Sequence, residues 1–322
     1  MNNELNNELY TVETSIPTSE FEWVGQDVSK SEEITRPSTS FWQDAWGRIK
    51  RDKIALALVI ILATIILCSI FVPMFMPYGF DEQHMQHINA RLFFKGDGCF
   101  HILGTDGLGR DTLVRVWSGG RISMLIAFAT VSINVGVGCI YGGFSGYFGG
   151  NVDNIMMRIV EILVGIPYML IVILLMVVLE PGIPTIILAL AATGWCGMAR
   201  MVRGEVLRLK EQEFVIAAKA MGGNATRILV KHLFPNVLSI IIVNLTLSIP
   251  SAIFSEAFLS YIGLGVLPPI ASWGSLCNEA QGLFKLYPEQ LFVPAICISI
   301  TMLSFNLLGD KLRDAFDPKL RR

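Results

Sequence analysis

The sequence predicts an all-helical integral membrane protein with six transmembrane helices, and three observations carry that prediction. Of its 322 residues, 52% are hydrophobic and only 16% charged, where a soluble domain carries about a quarter. Mean hydropathy is +0.55. The apolar residues also gather into long runs, and a run of about 18 or more points to a bilayer-spanning helix.

Residues 1–40 are polar and acidic, with Glu4, Glu8, Glu13, Glu20, Glu22, Asp27, Glu32 and Glu33 and few basic partners. This composition predicts a disordered cytoplasmic tail. It is not a signal peptide, because the first apolar run starts far too late. In 41–53, Phe41, Trp42, Ala45, Trp46 and Ile49 recur at helical spacing opposite Asp44, Arg48 and Arg51. That pattern predicts an interfacial elbow helix with tryptophans at headgroup level.

The spans follow at 54–75, 122–144, 155–179, 184–198, 238–258 and 292–308. A polar loop, 76–121, joins the first two. Gly142, Gly143, Gly146, Gly149 and Gly150 predict a tight turn between the second and third. Pro167 and Pro250 fall inside spans three and five and predict kinks. Asn134, Asn244 and Asn306 either bond between helices or line a polar path. Nineteen of the 25 Lys and Arg fall on one side of this arrangement. The positive-inside rule then places both termini, including the tail 310–322, and the basic loop 199–237 in the cytoplasm. Loop 76–121 falls outside the cell.

Charge position matters more than the net −2, and nothing points to nucleic acid. Cys68, Cys139, Cys196 and Cys297 lie in apolar runs as small hydrophobes. Cys99 and Cys277 lie in outer connections, where a bridge between them is conceivable but not required. No metal ligand set is expected: cysteine spacing shows no C-x₂-C, and the pair His84 and His87 reads as solvent-facing. Gly104, Gly107 and Gly109 mimic the spacing of a phosphate loop, yet Arg110 and Asp111 stand where Lys and Ser or Thr are needed. No catalytic constellation is present, so the chain is not expected to be an enzyme. Arg158 and Glu161, three apart on one helical face, are a candidate structural or gating pair. Glu256, near the outer end of span five, is a candidate to cap a cavity or bind a partner's polar group.

The most informative stretch is 213–235, EFVIAAKAMGGNATRILVKHLFP. It is too charged to span a bilayer. Helix propensity favours a helix over 204–221, stopped by Gly222-Gly223, then a second, short helix from Asn224 as N-cap to His232. Pro235 precedes the next span. This stretch resembles the cytoplasmic EAA loop of ABC importer permeases, a Glu-Ala-Ala and a Gly closing on Ile-x-Leu-Pro. Ala217, Ala218, Gly222 and Pro235 match, whereas Ile216 replaces the Glu and Phe234 the Leu.

Segments 101–111 (HILGTDGLGRD), 146–158 (GYFGGNVDNIMMR), 255–265 (SEAFLSYIGLG) and 312–318 (LRDAFDP) resemble permeases of dipeptide and oligopeptide importers. Within that family they are similar to the second, C-type permease. The resemblance implies a type I importer fold in a bacterial or archaeal plasma membrane. It implies partnership with a sister permease, two ATPase subunits and an extracytoplasmic peptide-binding protein. This chain would then carry no cofactor, ATP and Mg binding to the ATPases. A coupling helix over 219–227 would dock on one ATPase, with Glu213, Ala217, Ala218, Lys219, Gly222, Gly223, Arg227 and Pro235 forming the loop. The alternatives are the same fold importing nickel or another peptide-like solute, or a secondary transporter or channel. The last is disfavoured because no acidic residue falls at mid-span and no repeat is visible.

Overall fold

The structure, a computed structural model, describes residues 41–96 and 98–316. The chain divides into two units, 1–44 and 45–322, and the second is described below. The expected tail 1–40, the last residues 317–322 and the side chains of Phe41, Trp42, Asp44 and Ala45 lie outside the described residues.

Helix α1 (Phe41–Arg51) closes on Arg48, Lys50 and Arg51. Its Trp46 is exposed, with the Lys50 ammonium 5.4 Å from the ring. Asp52 then caps α2 (Lys53–Phe75), accepting the Ile54 and Ala55 amides at 2.9 and 3.2 Å. A 2.8 Å ion pair to Lys311 holds it. The hydrogen bond to Lys311 leads the causes that keep its carboxyl below the usual Asp range. Almost wholly apolar, α2 buries one stripe, Ala55, Leu58, Leu62, Ile65 and Ser69, spaced three and four apart. Its other faces suit lipid.

Residues 76–111, expected only as a polar loop, hold a short 3₁₀ turn (Met85–His87) and an antiparallel hairpin, β1 (Phe94–Gly96) and β2 (Cys99–His101). Phe94 pairs with His101 and Gly96 with Cys99. Gly104 and Gly109 have positive φ (72° and 74°), and a Cβ on either would overlap the Ala90 or His84 carbonyl. Close backbone approach thus accounts for the glycine spacing that imitates a phosphate loop.

Asp111 caps α3 (Thr112–Phe148) through the Val114 amide at 2.9 Å. The helix starts at Thr112 rather than residue 122, and residues 112–121 are its first turns. Buried Thr112, Arg115, Ser118, Gly119 and Gly120 there lower the hydropathy without breaking the helix. The expected tight glycine turn shrinks to Gly149 and Gly150 (φ 67° and 53°). Gly142, Gly143 and Gly146 lie inside α3. Gly138, Gly142 and Gly146 recur every four residues and face α6 (Ile183–Leu209). A Cβ would lie 2.6 Å from Met198 at Gly138 and 2.9 Å from the Arg203 carbonyl at Gly146. Small residues at this spacing let two helix backbones touch, and α3 with α6 forms the most extensive helix pair.

The expected span 155–179 is broken into α4 (Gly150–Gly165) and α5 (Tyr168–Val178), bent by 80°. Ile166 is extended ahead of Pro167, which starts α5. This exceeds a kink, because the residue before proline is driven out of helical conformation. The expected span 184–198 is the first part of α6, which runs on to Leu209.

Beyond α6 come α7 (Glu213–Ala220) and α8 (Ala225–Ile228). A π-helical turn (Leu229–Leu233) then leads into α9 (Phe234–Tyr261). The single helix expected over 204–221 is interrupted at 210–212. Pro235 does not end the loop but sits in the first turn of α9, within one run from Ala225 to Tyr261. The wide π turn just before it re-routes the hydrogen-bond ladder that proline cannot complete. A short helix, α10 (Trp273–Gln281), opens with a Ser272–Ser275 capping box, and α11 (Pro288–Phe316) ends the described chain.

Among the described residues five helices are long and apolar enough to cross a membrane: α2, α3, α6, the α8–α9 run and α11. The bent α4–α5 pair makes a sixth if it counts as one span. In the most apolar window, 44% of residues are buried for α6 and for α8–α9 and 39% for α3, against 22% for α2 and α11. The first three therefore form the centre, with α2 and α11 on the periphery.

Candidate functional site

Three places in the bundle gather the polar and exposed groups that function requires. The first is the segment between α6 and α9. Val215, Ile228, Leu229 and Leu233 are buried against Val202, Val206 and Leu209 of α6 and Val237 and Ile241 of α9. That apolar layer ties the segment to two long helices.

At its apex Gly222 takes φ 81°, and the Met221, Gly222 and Gly223 amides donate to the carbonyls of Ala217, Lys219 and Ala218. This is the left-handed ending glycine supplies. Asn224 restarts the chain, its side chain accepting the Arg227 amide at 2.8 Å. Residues 219–227, expected as one coupling helix, are therefore the end of α7, a turn over 221–224 and the start of α8. Glycine and an Asn cap side by side favour two ends over one continuous element.

Of the expected loop residues, Glu213, Ala217, Lys219, Gly222, Arg227 and Pro235 are exposed, Gly223 is half-buried and Ala218 is buried. The Lys219 ammonium lies 5.5 Å from the Tyr147 ring. Around the turn Phe214, Ile216, Met221 and Val230 are exposed despite being large and apolar.

Beside this segment stands an ion pair that sequence reasoning does not single out. Asp153 accepts both Arg203 Nε and Nη2 at 2.5 Å and the Ser145 hydroxyl at 2.5 Å. Lys210 donates to the Gly146 carbonyl at 3.0 Å. Together they fasten α4 and the end of α6 to α3. Asp153 and Arg203 are 50 residues apart, so no local pattern reports the pair. Arg158 and Glu161 do pair, at 2.9 Å, but both are exposed on α4.

The second place is a cleft of about 460 Å³ between α3, α5, α6 and α9. Thr130, Asn134, Tyr168, Asn244, Ser248, Ser251 and Ser255 line it. Gly194 leaves room for the Asn134 amide, whose Oδ1 is buried without a hydrogen-bond partner. Asn244 and Ser248 bond back to carbonyls of their own helix at 3.1 and 2.7 Å. The cleft is uncharged. Of the three asparagines weighed as path-lining, Asn134 and Asn244 reach it, whereas Asn306 is exposed on α11.

Glu256 does not reach it. The carboxylate is fully buried and accepts the Ser123 and Ser260 hydroxyls at 2.8 Å each. Ser123 in turn accepts the Trp273 amide at 3.2 Å, and the Trp273 indole donates to the Val116 carbonyl. Glu256 therefore joins α9, α3 and α10 within the subunit, so the expectation of a cavity or partner-facing carboxylate is corrected. Two serine hydroxyls satisfy it, and Ser123 lies 133 residues from Glu256, so no window of sequence displays that.

The third place is the hairpin end. Arg110 bonds Asp106 at 2.7 Å and Glu279 at 2.8 Å, and Arg115 bonds Glu279 at 2.6 and 3.0 Å and Asp106 as well. Burial by itself would raise the Asp106 pKa. The Arg110 and Leu108 amides and the Arg115 and Arg110 charges outweigh it and hold the carboxyl below the usual range. His84 and His87 are not solvent-facing: His87 is buried, and only 19% of the His84 side chain is exposed. Cys99 and Cys277 are both free thiols, on β2 and α10 respectively.

Comparison with known proteins settles the family. Residues 136–322 match the family described as "Binding-protein-dependent transport system inner membrane component". Residues 40–92 match the "N-terminal TM domain of oligopeptide transport permease C". The chain belongs to the dipeptide and oligopeptide family of ABC importer permeases.

The permease is 47% identical to the oligopeptide transport system permease protein OppC of Bacillus subtilis, over 96% of this chain and 99% of that one. It is 46% identical to the dipeptide transport system permease protein DppC of the same organism, over 94% of each. The glutathione transport system permease protein GsiD of Shigella boydii is 35% identical, over 94% and 99%. Among solved structures, a chain of the inward-facing MetNI methionine ABC transporter superposes with a TM-score of 0.52 at 19% identity. The match covers 63% of the permease and 96% of that chain, which establishes a shared fold. The hairpin lies between the two family-matched segments.

Proposed function

We propose that this permease forms half of the translocation pathway of a binding-protein-dependent importer of peptides, in a bacterial or archaeal plasma membrane. Its coupling to ATP hydrolysis runs through the segment between α6 and α9. The relatives named for oligopeptide, dipeptide and glutathione transport share a peptide cargo, and that supports peptide over nickel.

One observation carries the coupling role. A glycine-centred turn is bolted by buried aliphatic residues to two membrane-crossing helices, while Phe214, Ile216, Met221 and Val230 stand exposed on it beside Lys219 and Arg227. Exposed apolar side chains rimmed by charge mark a docking surface, here for an ATPase subunit. Movement of that subunit displaces the turn, and the rigid attachment carries the displacement to α6 and α9, which wall the polar cleft. The uncharged serine, threonine and asparagine lining suits a cargo whose side chains vary and whose backbone needs hydrogen-bond partners. ATP and Mg act on the ATPases, a sister permease supplies the other half of the path, and an extracytoplasmic binding protein delivers peptide. The skew of Lys and Arg supports placing the turn and both termini in the cytoplasm.

The test is gentle detergent extraction of the tagged permease from native membranes, with identification of what accompanies it. Recovery of a second permease and two ATPases, with ATP hydrolysis absent from the isolated chain, is the expected result. A reporter after Arg322 is expected to be active in its cytoplasmic form. A permease that arrives alone, or whose removal leaves peptide uptake intact, overturns the proposal.

A further inference from the structure

The hairpin end holds a cluster that the transport role does not use. Cys99 and His101 sit two apart on β2 and so share a face of the strand. His87 of the 3₁₀ turn lies against them, and each of the three offers a ligand atom within 4.8 Å of the other two.

His101 carries the decisive detail. Its side chain is fully buried, and its Nδ1 lies 2.7 Å from Asp111 Oδ2, itself fully buried. Asp111 is held in turn by the Val114 amide on its other oxygen. With Nδ1 engaged by a carboxylate, Nε2 is left as the lone-pair nitrogen, and it is buried without a hydrogen-bond partner. Leaving such a group unsatisfied costs about 1–3 kcal/mol. A carboxylate behind a histidine whose other nitrogen is free is the arrangement that orients metal-bound imidazoles.

We propose that His87, Cys99 and His101 bind a zinc-class divalent cation, with Asp111 as the positioning residue behind His101. Two imidazoles and a thiolate select a borderline-soft ion over magnesium or calcium, which want oxygen. Bonds of about 2.0–2.3 Å around a tetrahedral ion set ligand atoms about 3.5 Å apart, so the cluster closes by an ångström or so on binding. The Cys99 thiol proton passes to solvent as the thiolate ligates. The fourth position falls to water or to His84. The His84 ring lies 5.4 Å from that of His101, and its Nδ1 is buried without a hydrogen-bond partner.

The ion would staple the 3₁₀ turn to the hairpin. The Thr105 hydroxyl donates to the His87 carbonyl, and Gln290 of α11 donates to the Thr105 carbonyl at 2.9 Å. Tightening the cluster therefore stiffens the seat of the hairpin on α3 and α11. None of His87, Cys99, His101 and Asp111 lines the polar cleft, so the ion is resident and not cargo, and the proposal stands whatever the permease transports.

The test uses full-length permease in detergent, purified without a histidine tag, stripped with a chelator and titrated with zinc alone against a chromophoric chelator. Cobalt serves as the spectroscopic probe. The expected result is one zinc per chain and a sulfur-to-cobalt charge-transfer band. Cys99→Ser should abolish the band and weaken zinc by about 100-fold or more, while Cys277→Ser changes neither. Asp111→Asn keeps an N-cap acceptor for α3 and should weaken zinc by about 10–100-fold. His84→Ala weakens zinc if His84 is the fourth ligand and leaves it unchanged if water is; either result is read against Cys99→Ser, whose loss the site requires. Failure of wild type to retain zinc, or equal zinc binding by wild type and Cys99→Ser, overturns the proposal. Because Cys99 is only half-buried, its serine variant is the one most able to fold, and a thermal melt verifies that it has.

Discussion

The two ends of the bundle are finished in opposite ways. At the hairpin end the charges turn inward and satisfy one another: Asp106, Arg110, Arg115 and Glu279 form one network, with Arg115 almost fully buried. At the coupling end Lys219, Arg227 and large apolar groups turn outward over a mainly apolar layer, with the Arg203–Asp153 pair beside it. An end whose charged side chains pair with one another is a structural seat. An end that leaves Phe214, Ile216 and Met221 exposed is, under the proposed function, the surface on which an ATPase subunit docks.

The difference predicts its largest effect at Arg115. Arg115→Ala leaves Asp106 and Glu279 short of a buried cation, and removing one partner of a buried ion pair costs about 3–5 kcal/mol. A melt of the purified permease should show that loss. Arg227→Ala, at the exposed turn, should change stability by no more than about 0.5 kcal/mol yet lower peptide uptake. Equal melting of the two variants would abolish the distinction between the ends.

Gly222 sharpens it next. Nothing lies within 4 Å of a Cβ placed there, yet φ is 81°, so the cost of a side chain is conformational and not steric. Gly222→Val should destabilise by about 1–3 kcal/mol, whereas Gly222→Asn should cost less, since Asn tolerates the left-handed region. Uptake should fall in the order Gly, Asn, Val. If Asn and Val abolish uptake alike, the turn acts through its bare surface and not through its backbone.

The inward-facing network also gives the hairpin end an acid sensitivity that the coupling turn lacks. The folded Asp106 pKa lies below its ordinary value of 3.8. Its contribution is therefore complete above about pH 4 and is lost as pH falls through the folded value. The Asp106→Asn variant should show a smaller drop in melting temperature over that acid range than the wild type does. Parallel curves would mean that other carboxylates dominate.

What the sequence conveys follows the same divide. Long apolar runs mark the membrane-crossing helices because each reports its own environment residue by residue. Gly222, Gly223 and Asn224 likewise announce the turn, since left-handed endings and caps are local chemistry. The seat at the other end is built from distant partners, Arg115 with Glu279 and Glu256 with Ser123, and no window contains both members. Residues 112–121 mislead because helix and bilayer span are different properties, and a capped first stretch carrying Arg115, Arg121 and a glycine pair has the former without the latter. Gly138, Gly142 and Gly146 show that a glycine cluster has two physical readings, turn or backbone contact. The four-residue spacing is the signal that separates them. The EAA resemblance draws attention to the segment between α6 and α9 but suggests a helix over 219–227, where the glycine pair dictates a bend.

Arg158 and Glu161 supply the smallest effect and the control for the rest. They form a 2.9 Å pair like those of the hairpin network, but with 76% and 59% of their side chains exposed. Exposed pairs contribute little, because both ions keep most of their hydration and ordering two long side chains opposes the attraction. Arg158→Ala should therefore shift stability by about 0.5 kcal/mol or less, measured in the same melt as Arg115→Ala. Should it instead approach the Arg115 loss, burial would not be what separates the two ends, and α4 would have to be treated as a face covered by another subunit.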